Sequence, residues 1–180
     1  MIELVKLTNY SKIKNIYAEA FPRYERLPLW ILVLRSKSKY IECYGLFDDQ
    51  ILVGFTYIIS KGDLSFIMYL AVDRAYRSKS YGSKCLDLIK NNYSGTIALN
   101  IEALDEASEN YMQRQKRKTF YMKNAFSETG VYSKYGSLVN ELLSYNGVVT
   151  YEDYLNIIKV FAGPIIGLFV SKYFSQKKAL

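Results

Sequence analysis

The fold is decided by the stretch Leu70-Ala71-Val72-Asp73-Arg74-Ala75-Tyr76-Arg77-Ser78-Lys79-Ser80-Tyr81-Gly82-Ser83-Lys84. A nearly all-apolar run ends at Val72, small and basic residues follow, and apolar residues then recur at helical spacing from Tyr81. The first N–H groups of a helix have no intrahelical partner and lie at the positive end of its dipole. The stretch therefore predicts a buried strand, a phosphate-binding loop and a helix, with Gly82 allowing the anion to approach closely. Positive charge is added by Arg77, Lys79 and Lys84.

On the N-terminal side the pattern predicts two helices followed by an antiparallel meander. The first helix covers residues 11–21 and is ended by Pro22, and a short second helix follows Pro28. Between the prolines lies a charged loop. Three strand-like runs separated by turn residues complete this half, at 40–47, 51–60 and 64–72.

On the C-terminal side the pattern predicts a crossover helix, a strand at 96–102, a long helix at 106–124 and a closing hairpin. The hairpin strands are expected at 131–135 and 139–146. A strand–helix–strand unit is right-handed, so the strands before and after the crossover helix should be parallel. The fold class is therefore predicted to be α/β with a mixed sheet: N-terminal helices, antiparallel strands, a central parallel pair and a C-terminal hairpin.

Two motifs resemble those of the GNAT superfamily of N-acyltransferases. Arg77-Ser78-Lys79-Ser80-Tyr81-Gly82 is similar to its acetyl-CoA loop, Arg-x-x-Gly-x-Gly/Ala, and the segment 120–126 is similar to Tyr-x-Lys-x-Gly-Phe. Ser80 and Ala125 stand where the family has glycine. Arg114 and Arg117 stand where many members have an asparagine and a small residue. The resemblance covers about residues 1–150, and its specific part is 64–126.

This resemblance implies an N-acetyltransferase that moves an acetyl group from acetyl-CoA to a primary amine by direct attack in a ternary complex. It implies that the central strands splay into a cofactor groove, where the backbone of one strand pairs with the pantetheine arm. The loop would hold the pyrophosphate. The implied cofactor-binding residues are Leu70, Ala71, Val72, Arg77, Ser78, Lys79, Ser80, Tyr81, Gly82 and Ser83, with Arg114 and Arg117 as further candidates. The alternative is a catalytically silent GNAT-fold module that binds CoA or a protein.

Tyr121 is implied as the general acid that protonates the departing thiolate. Arg114 and Arg117 share its helix face by spacing, so they either contact CoA phosphates or form a solvated face. Glu102 and Glu25 are the two candidate bases, although each is also explained as structural or exposed and a water relay would serve instead. Glu25 lies in the charged loop, which is the predicted site of acceptor choice.

Composition excludes several other chemistries. The 180 residues include no histidine, which rules out Ser-His-Asp and Cys-His catalysis and imidazole zinc sites, and no metal is expected. The two cysteines, Cys43 and Cys85, form no CxxC pair. The net charge is +7, but the densest basic run, 113–118, is interpreted as a solvated helix face and no nucleic-acid partner is predicted. With no leader-like N-terminus, the expected location is the cytoplasm.

The last thirty residues form a separate prediction. Residues 1–150 are expected to be the N-acetyltransferase domain, and 151–180 a helical, apolar extension. Within it, the apolar run 160–174 has only twelve uncharged residues between Lys159 and Lys172, too few to span a bilayer. Burial against the domain or self-association as a homodimer is favoured, and membrane contact through 160–174 is not.

Overall fold

The computed structural model describes residues 1–167 and 174–177. The chain divides into two compact units. The first contains residues 1–59 and 67–94, and the second contains 60–66 and the chain from Gly95 onward. Helices accompany an eight-stranded mixed sheet, so the predicted mixed α/β fold class is confirmed. The predicted splaying of the central strand pair stays a prediction.

The first unit opens with a short strand and two helices and continues into an antiparallel meander. Its elements are β1 (Ile2–Lys6), a 3-10 turn (Tyr10–Ile13), α1 (Lys14–Ala20), α2 (Leu29–Arg35), β2 (Ile41–Asp48), β3 (Ile51–Lys61), β4 (Leu64–Val72), a second 3-10 turn (Arg74–Tyr76) and α3 (Tyr81–Asn92). The tip of the β3–β4 hairpin belongs to the second unit. The strands follow the order β1-β2-β3-β4, and β2 pairs antiparallel with both β1 and β3. β4 and α3 therefore carry the loop that the sequence marks as phosphate-binding.

The second unit is built from two strands of a hairpin, the strand beside it and the helices around it. Its elements are β5 (Thr96–Glu102), α4 (Tyr111–Lys123), β6 (Ser127–Tyr135), β7 (Leu138–Tyr145), α5 (Tyr151–Ala162), α6 (Pro164–Gly167) and β8 (Phe174–Lys177). The strands follow the order β5-β7-β6-β8, with every pair antiparallel. α5 begins at a capping box in which Thr150 and Asp153 bond each other's backbone N–H groups.

Several features differ from the sequence prediction, and one of them is that β6 begins at Ser127 rather than at 131. β1 was not predicted, because five residues with alternating burial give a weak pattern. α4 begins at Tyr111 rather than at 106, because Asp105 accepts the Ala107 N–H through its side chain and favours turns there. Finally, β8 is a strand within an extension that was expected to be helical, and its backbone pairs with β6.

The C-terminal extension contributes buried side chains to the second unit. Tyr154, Ile157 and Phe161 of α5 are buried, and the Tyr154 ring lies 5.6 Å from that of Phe66. Within the predicted apolar run 160–174, residues 168–173 lie outside the described part of the chain. The domain boundary at residue 150 stays a prediction. Among the described residues, no helix is both long and apolar enough to cross a bilayer.

Candidate functional site

The loop between β4 and α3 adopts an unusual backbone that opens the helix N-terminus. Ser78 and Ser80 both have φ of +63°, in the left-handed region that glycine adopts most easily. Ser80 is the N-cap of the twelve-residue α3, and its side chain makes no capping hydrogen bond. The N–H groups of the first turn of α3 are therefore not covered by their N-cap, the arrangement that binds phosphate.

Three cations flank this loop in the first unit. Arg77 is exposed and its Nε donates to the Val72 carbonyl at 3.2 Å, which ties the loop to the end of β4. The Lys79 and Lys84 ammonium groups lie 5.5 and 5.4 Å from the ring centroids of Tyr76 and Tyr81. Both lysines are exposed. The loop thus offers exposed positive charge beside uncapped N–H groups, which suits a polyphosphate group.

Tyr81 connects the start of α3 to the β2–β3 turn. Its hydroxyl donates to Asp48 Oδ2 at 2.7 Å, and that hydrogen bond raises the pKa of Tyr81 above its ordinary value. Asp48 and Asp49 also form ion pairs with the N-terminal ammonium of Met1. Both carboxylates of the β2–β3 turn therefore already have partners.

The charged loop between α1 and α2 is fixed by tyrosine hydroxyls. Tyr17 donates to the Leu27 carbonyl at 3.0 Å, and Tyr69 of β4 donates to the Glu25 carbonyl at 3.1 Å. The Tyr69 ring packs edge to face with the Tyr17 and Phe21 rings at 5.1 and 4.9 Å. Burial raises the pKa of Tyr17 above its ordinary value, so its phenol stays protonated and keeps donating. Glu25 is thereby held beside β4 through its main chain.

In the second unit Glu102, at the end of β5, is the centre of an ion-pair cluster with α4. It is only 6% exposed, and its carboxylate lies 2.9 Å from Arg117 Nη1 and 3.4 Å from Arg114 Nη2. The Asn110 amide donates to the same carboxylate at 3.3 Å. Arg114 also donates from Nε to Asn110 Oδ1 and from Nη1 to the Ala103 carbonyl. The contacts with Glu102 and Ala103 join the first half of α4 to the end of β5.

A second ion cluster, which sequence analysis missed, lies on the same helix. Glu141 of β7 is 1% exposed and lies 2.9 Å from the Lys118 ammonium, which also pairs with Glu128. Burial lowers the pKa of Lys118, but its hydrogen bonds to the two carboxylates outweigh burial and the pKa is raised. A charged residue inside the strand β7, directly before the apolar pair Leu142-Leu143, was the available signal. The solvated-face interpretation of residues 113–118 is wrong for three of their four cations, Arg114, Arg117 and Lys118, since each pairs with a buried carboxylate.

Tyr121 is positioned by the way α4 ends. Ala125 has φ of +62°, the Phe126 N–H donates to the Tyr121 carbonyl at 3.1 Å, and the Ala125 N–H donates to the Met122 carbonyl at 3.0 Å. These bonds form a Schellman motif. In this motif the residue after the left-handed Ala125, which is Phe126, packs against Tyr121 in the last turn of the helix. Accordingly the Phe126 ring lies 5.7 Å from the half-buried Tyr121 ring. The motif thus explains why a tyrosine and a phenylalanine five residues apart accompany a glycine-like position.

The predicted site residues are therefore distributed over both units. Leu70, Ala71, Val72 and the loop Arg77–Ser83 lie in the first unit together with Glu25. Glu102, Arg114 and Arg117 are in mutual contact in the second unit, and Tyr121 lies one turn beyond Arg117 on α4. Ser80 and Ala125, the two departures from glycine, both adopt the left-handed backbone that glycine would adopt.

The structure is similar to solved structures of acetyltransferases. The sequence profile of the acetyltransferase (GNAT) family matches residues 10–116. A GNAT-family acetyltransferase of Bacteroides thetaiotaomicron is 20% identical, with a TM-score of 0.72 over 93% of this chain and 98% of its own. An aminoglycoside 6'-N-acetyltransferase complexed with coenzyme A is 16% identical, with a TM-score of 0.64 over 80% and 95%. A ribosomal-protein alanine N-acetyltransferase from Escherichia coli is 14% identical, with a TM-score of 0.57 over 85% and 98%. No curated protein sequence matches the chain.

Proposed function

Because the chain belongs to the acetyltransferase (GNAT) family, whose co-substrate is acetyl-CoA, we propose that it is an N-acetyltransferase acting on a primary amine. The observation that carries the proposal is the loop Arg77–Ser83, with its uncapped helix N-terminus and its flanking cations. Related structures include enzymes named for aminoglycosides and for a ribosomal protein. The acceptors in these two names have only an amine in common, so an amine is all that we propose for the acceptor of this chain. The cytoplasm remains the predicted location.

The proposed reaction is direct attack of the amine on the thioester. The amine nitrogen forms a C–N bond with the acetyl carbon, the C–S bond breaks, and the thiolate leaves as the amine loses a proton. Direct attack in a ternary complex needs no nucleophile from the enzyme. The two thiols of the chain are consistent with this, because neither is suited to act as a nucleophile. Cys43 and Cys85 are each 1% exposed, and burial raises the pKa of each thiol to about 12.

For the cofactor we propose that the loop holds the pyrophosphate while the backbone of Leu70, Ala71 and Val72 pairs with the pantetheine arm. The left-handed turns at Ser78 and Ser80 support this role, because they free the first N–H groups of α3. Arg117 is 32% exposed and keeps donors beyond its bond to Glu102, so it remains a candidate phosphate contact. Each nitrogen of the Arg114 guanidinium has a partner within the second unit, and we propose a structural role for it.

For catalysis we propose that Tyr121 gives the departing thiolate a proton. Its ring is fixed by the Schellman motif, which supplies the positioning that a general acid requires. Every neighbour of the Glu102 carboxylate described above is a donor, so we propose that it anchors α4, and hence Tyr121, rather than accepting the amine proton. Glu25 remains a candidate base in the acceptor loop.

The test measures CoA release from acetyl-CoA with a panel of primary amines. Tyr121→Phe should lower kcat by about 10²–10⁴-fold and leave the KM for acetyl-CoA nearly unchanged. Tyr111→Phe, on the same helix, is the matched control and should behave as the wild type. A Tyr121→Phe enzyme with wild-type kcat would disprove the assignment of the acid.

A separate measurement distinguishes the catalytically silent alternative. Acetyl-CoA should raise the melting temperature of the wild type, and Gly82→Val should remove that rise because a side chain blocks the approach of the anion. Acetyl-CoA binding without turnover on any amine would favour the silent module. Equal thermal shifts in both proteins would argue against the loop as the binding site.

A further inference from the structure

Helix α2 presents an apolar face that is not covered. Six of its seven residues, Leu-Trp-Ile-Leu-Val-Leu, are apolar, yet only Leu32 is buried. Trp30 is 66% exposed, and Val33 and Leu34, three and four residues further on, are 39% and 50% exposed. This spacing places the three side chains on one face, called here the α2 face. A helix that is apolar on all sides is normally buried.

The chain around the α2 face is strongly basic. Residues 22–40 contain one carboxylate, Glu25, and five cations: Arg23, Arg26, Arg35, Lys37 and Lys39. This short segment therefore supplies four of the seven net positive charges of the protein. Two tyrosines, Tyr24 and Tyr40, are 63% and 37% exposed in the same segment, and the Lys39 ammonium lies 5.2 Å from the Tyr40 ring centroid.

We propose that the α2 face is a docking surface for an anionic lipid bilayer. The Trp30 and Leu34 side chains insert into the interface of that bilayer. Exposed aromatic and aliphatic side chains flanked by lysine and arginine are the combination that binds the interface of a negatively charged membrane. The apolar side chains enter the headgroup boundary while the cations pair with anionic headgroups. Two hydrogen bonds hold the backbone of this segment against the first unit. Tyr57 donates to the Leu32 carbonyl at 3.0 Å, and Tyr17 donates to the Leu27 carbonyl.

Charge argues against a second copy of the chain as the occupant. A two-fold dimer would place the same patch against itself, and two segments of net charge +4 would repel at close range. An acidic polypeptide would satisfy the cations, but it would leave the broad exposed Trp30 and Leu34 side chains without an apolar environment. A bilayer satisfies both requirements.

The sequence provides its own reporter, because Trp30 is the only tryptophan. Full-length protein is mixed with vesicles of phosphatidylcholine alone or with about one third phosphatidylglycerol, and both tryptophan emission and cosedimentation are measured. We expect a blue shift and sedimentation only with the anionic vesicles, and both should disappear at high salt because the charges are screened. A wild-type protein that neither shifts nor sediments with anionic vesicles would overturn the proposal.

Matched variants separate the surface from the general charge of the protein. Leu34→Ser should weaken vesicle partitioning about tenfold, and Lys37→Glu with Lys39→Glu should abolish it. The controls are Val148→Ser, at an 86% exposed position, and Lys61→Glu with Lys116→Glu. Equal losses in the controls would overturn the proposal. So would a blue shift that depends on protein concentration without vesicles, which indicates a second copy, or an equal shift with polyglutamate, which indicates an acidic polypeptide. Circular dichroism confirms that each variant is folded.

Discussion

Replacing Ala125 by glycine should make the protein more stable. Ala125 has φ of +62° at the end of α4, a conformation that costs an L-residue about 1–2 kcal/mol and costs glycine almost nothing. Glycine also gives the unfolded chain more conformational entropy than alanine does. This favours unfolding by about 0.4–1 kcal/mol and cancels part of the gain. The expected net gain is about 0.5–1 kcal/mol in the free energy of unfolding, or about 1–4 °C in Tm for a protein of this size. Turnover should be unchanged, because the Schellman hydrogen bonds that hold Tyr121 are kept.

Thermal and urea unfolding of Ala125→Gly and of a matched variant, Ala18→Gly, measure this gain. Ala18 is exposed within α1, where the backbone is helical, so glycine there should lower stability by about 1 kcal/mol. The same substitution is thus expected to have opposite signs at the two positions. If Ala125→Gly lowers stability as Ala18→Gly does, the left-handed conformation at residue 125 carries no strain and the reasoning fails.

Three further outcomes follow from buried or capping groups. Glu102→Gln should lower the free energy of unfolding by about 3–5 kcal/mol in urea, because two guanidinium groups lose a buried carboxylate; a loss below about 1 kcal/mol would mean that water already shields the cluster. The Cys43 and Cys85 thiols should react with a thiol reagent only as fast as the protein unfolds, and rapid labelling of the native protein would contradict their burial. Hydrogen bonds from Thr150 lower the pKa of Asp153, so this carboxylate stabilises the fold above its unfolded pKa near 3.8 and stops doing so as pH falls through the lower folded value. Thr150→Ala should therefore cost about 1 kcal/mol at neutral pH and less in acid, and a pH-independent cost would contradict this linkage.

The parts of the fold that the sequence predicts are those with an unambiguous local pattern. The runs that became β4 and β5 are apolar, bounded by turn residues, and have the predicted limits of 64–72 and 96–102. The helix from Tyr81 follows from its spacing. Local pattern gives no such signal for β1 or β8, because a four- or five-residue edge strand is defined by the strand it pairs with.

The sequence indicates which residues are candidates for the site, but it does not indicate what those residues contact. Spacing correctly predicted that Arg114 and Arg117 share a helix face, but it cannot reveal what that face packs against. In the structure the partner is Glu102, which the sequence offered only as a candidate base. Similarly, the substitutions at Ser80 and Ala125 look like losses of a glycine motif, whereas the backbone keeps the glycine conformation at both. The residue type at these two positions differs from glycine, but the backbone keeps the left-handed conformation that glycine favours.

The absence of histidine narrows the choice of proton donor. Without imidazole, the side chains that can donate a proton to a thiolate near neutral pH are thiols, lysine ammonium groups and phenols. Both thiols are buried, and Lys118, the most enclosed lysine of α4, is already paired with two carboxylates. Most tyrosine contacts in the first unit are structural, since their hydroxyls bond backbone carbonyls or a carboxylate. The Tyr121 ring packs against Phe126 at the end of α4 and is half-buried, and it is the phenol that we propose as the acid. Loss of turnover in Tyr121→Phe with intact acetyl-CoA binding is therefore the result that would assign the acid in a chain that has no histidine to take its place.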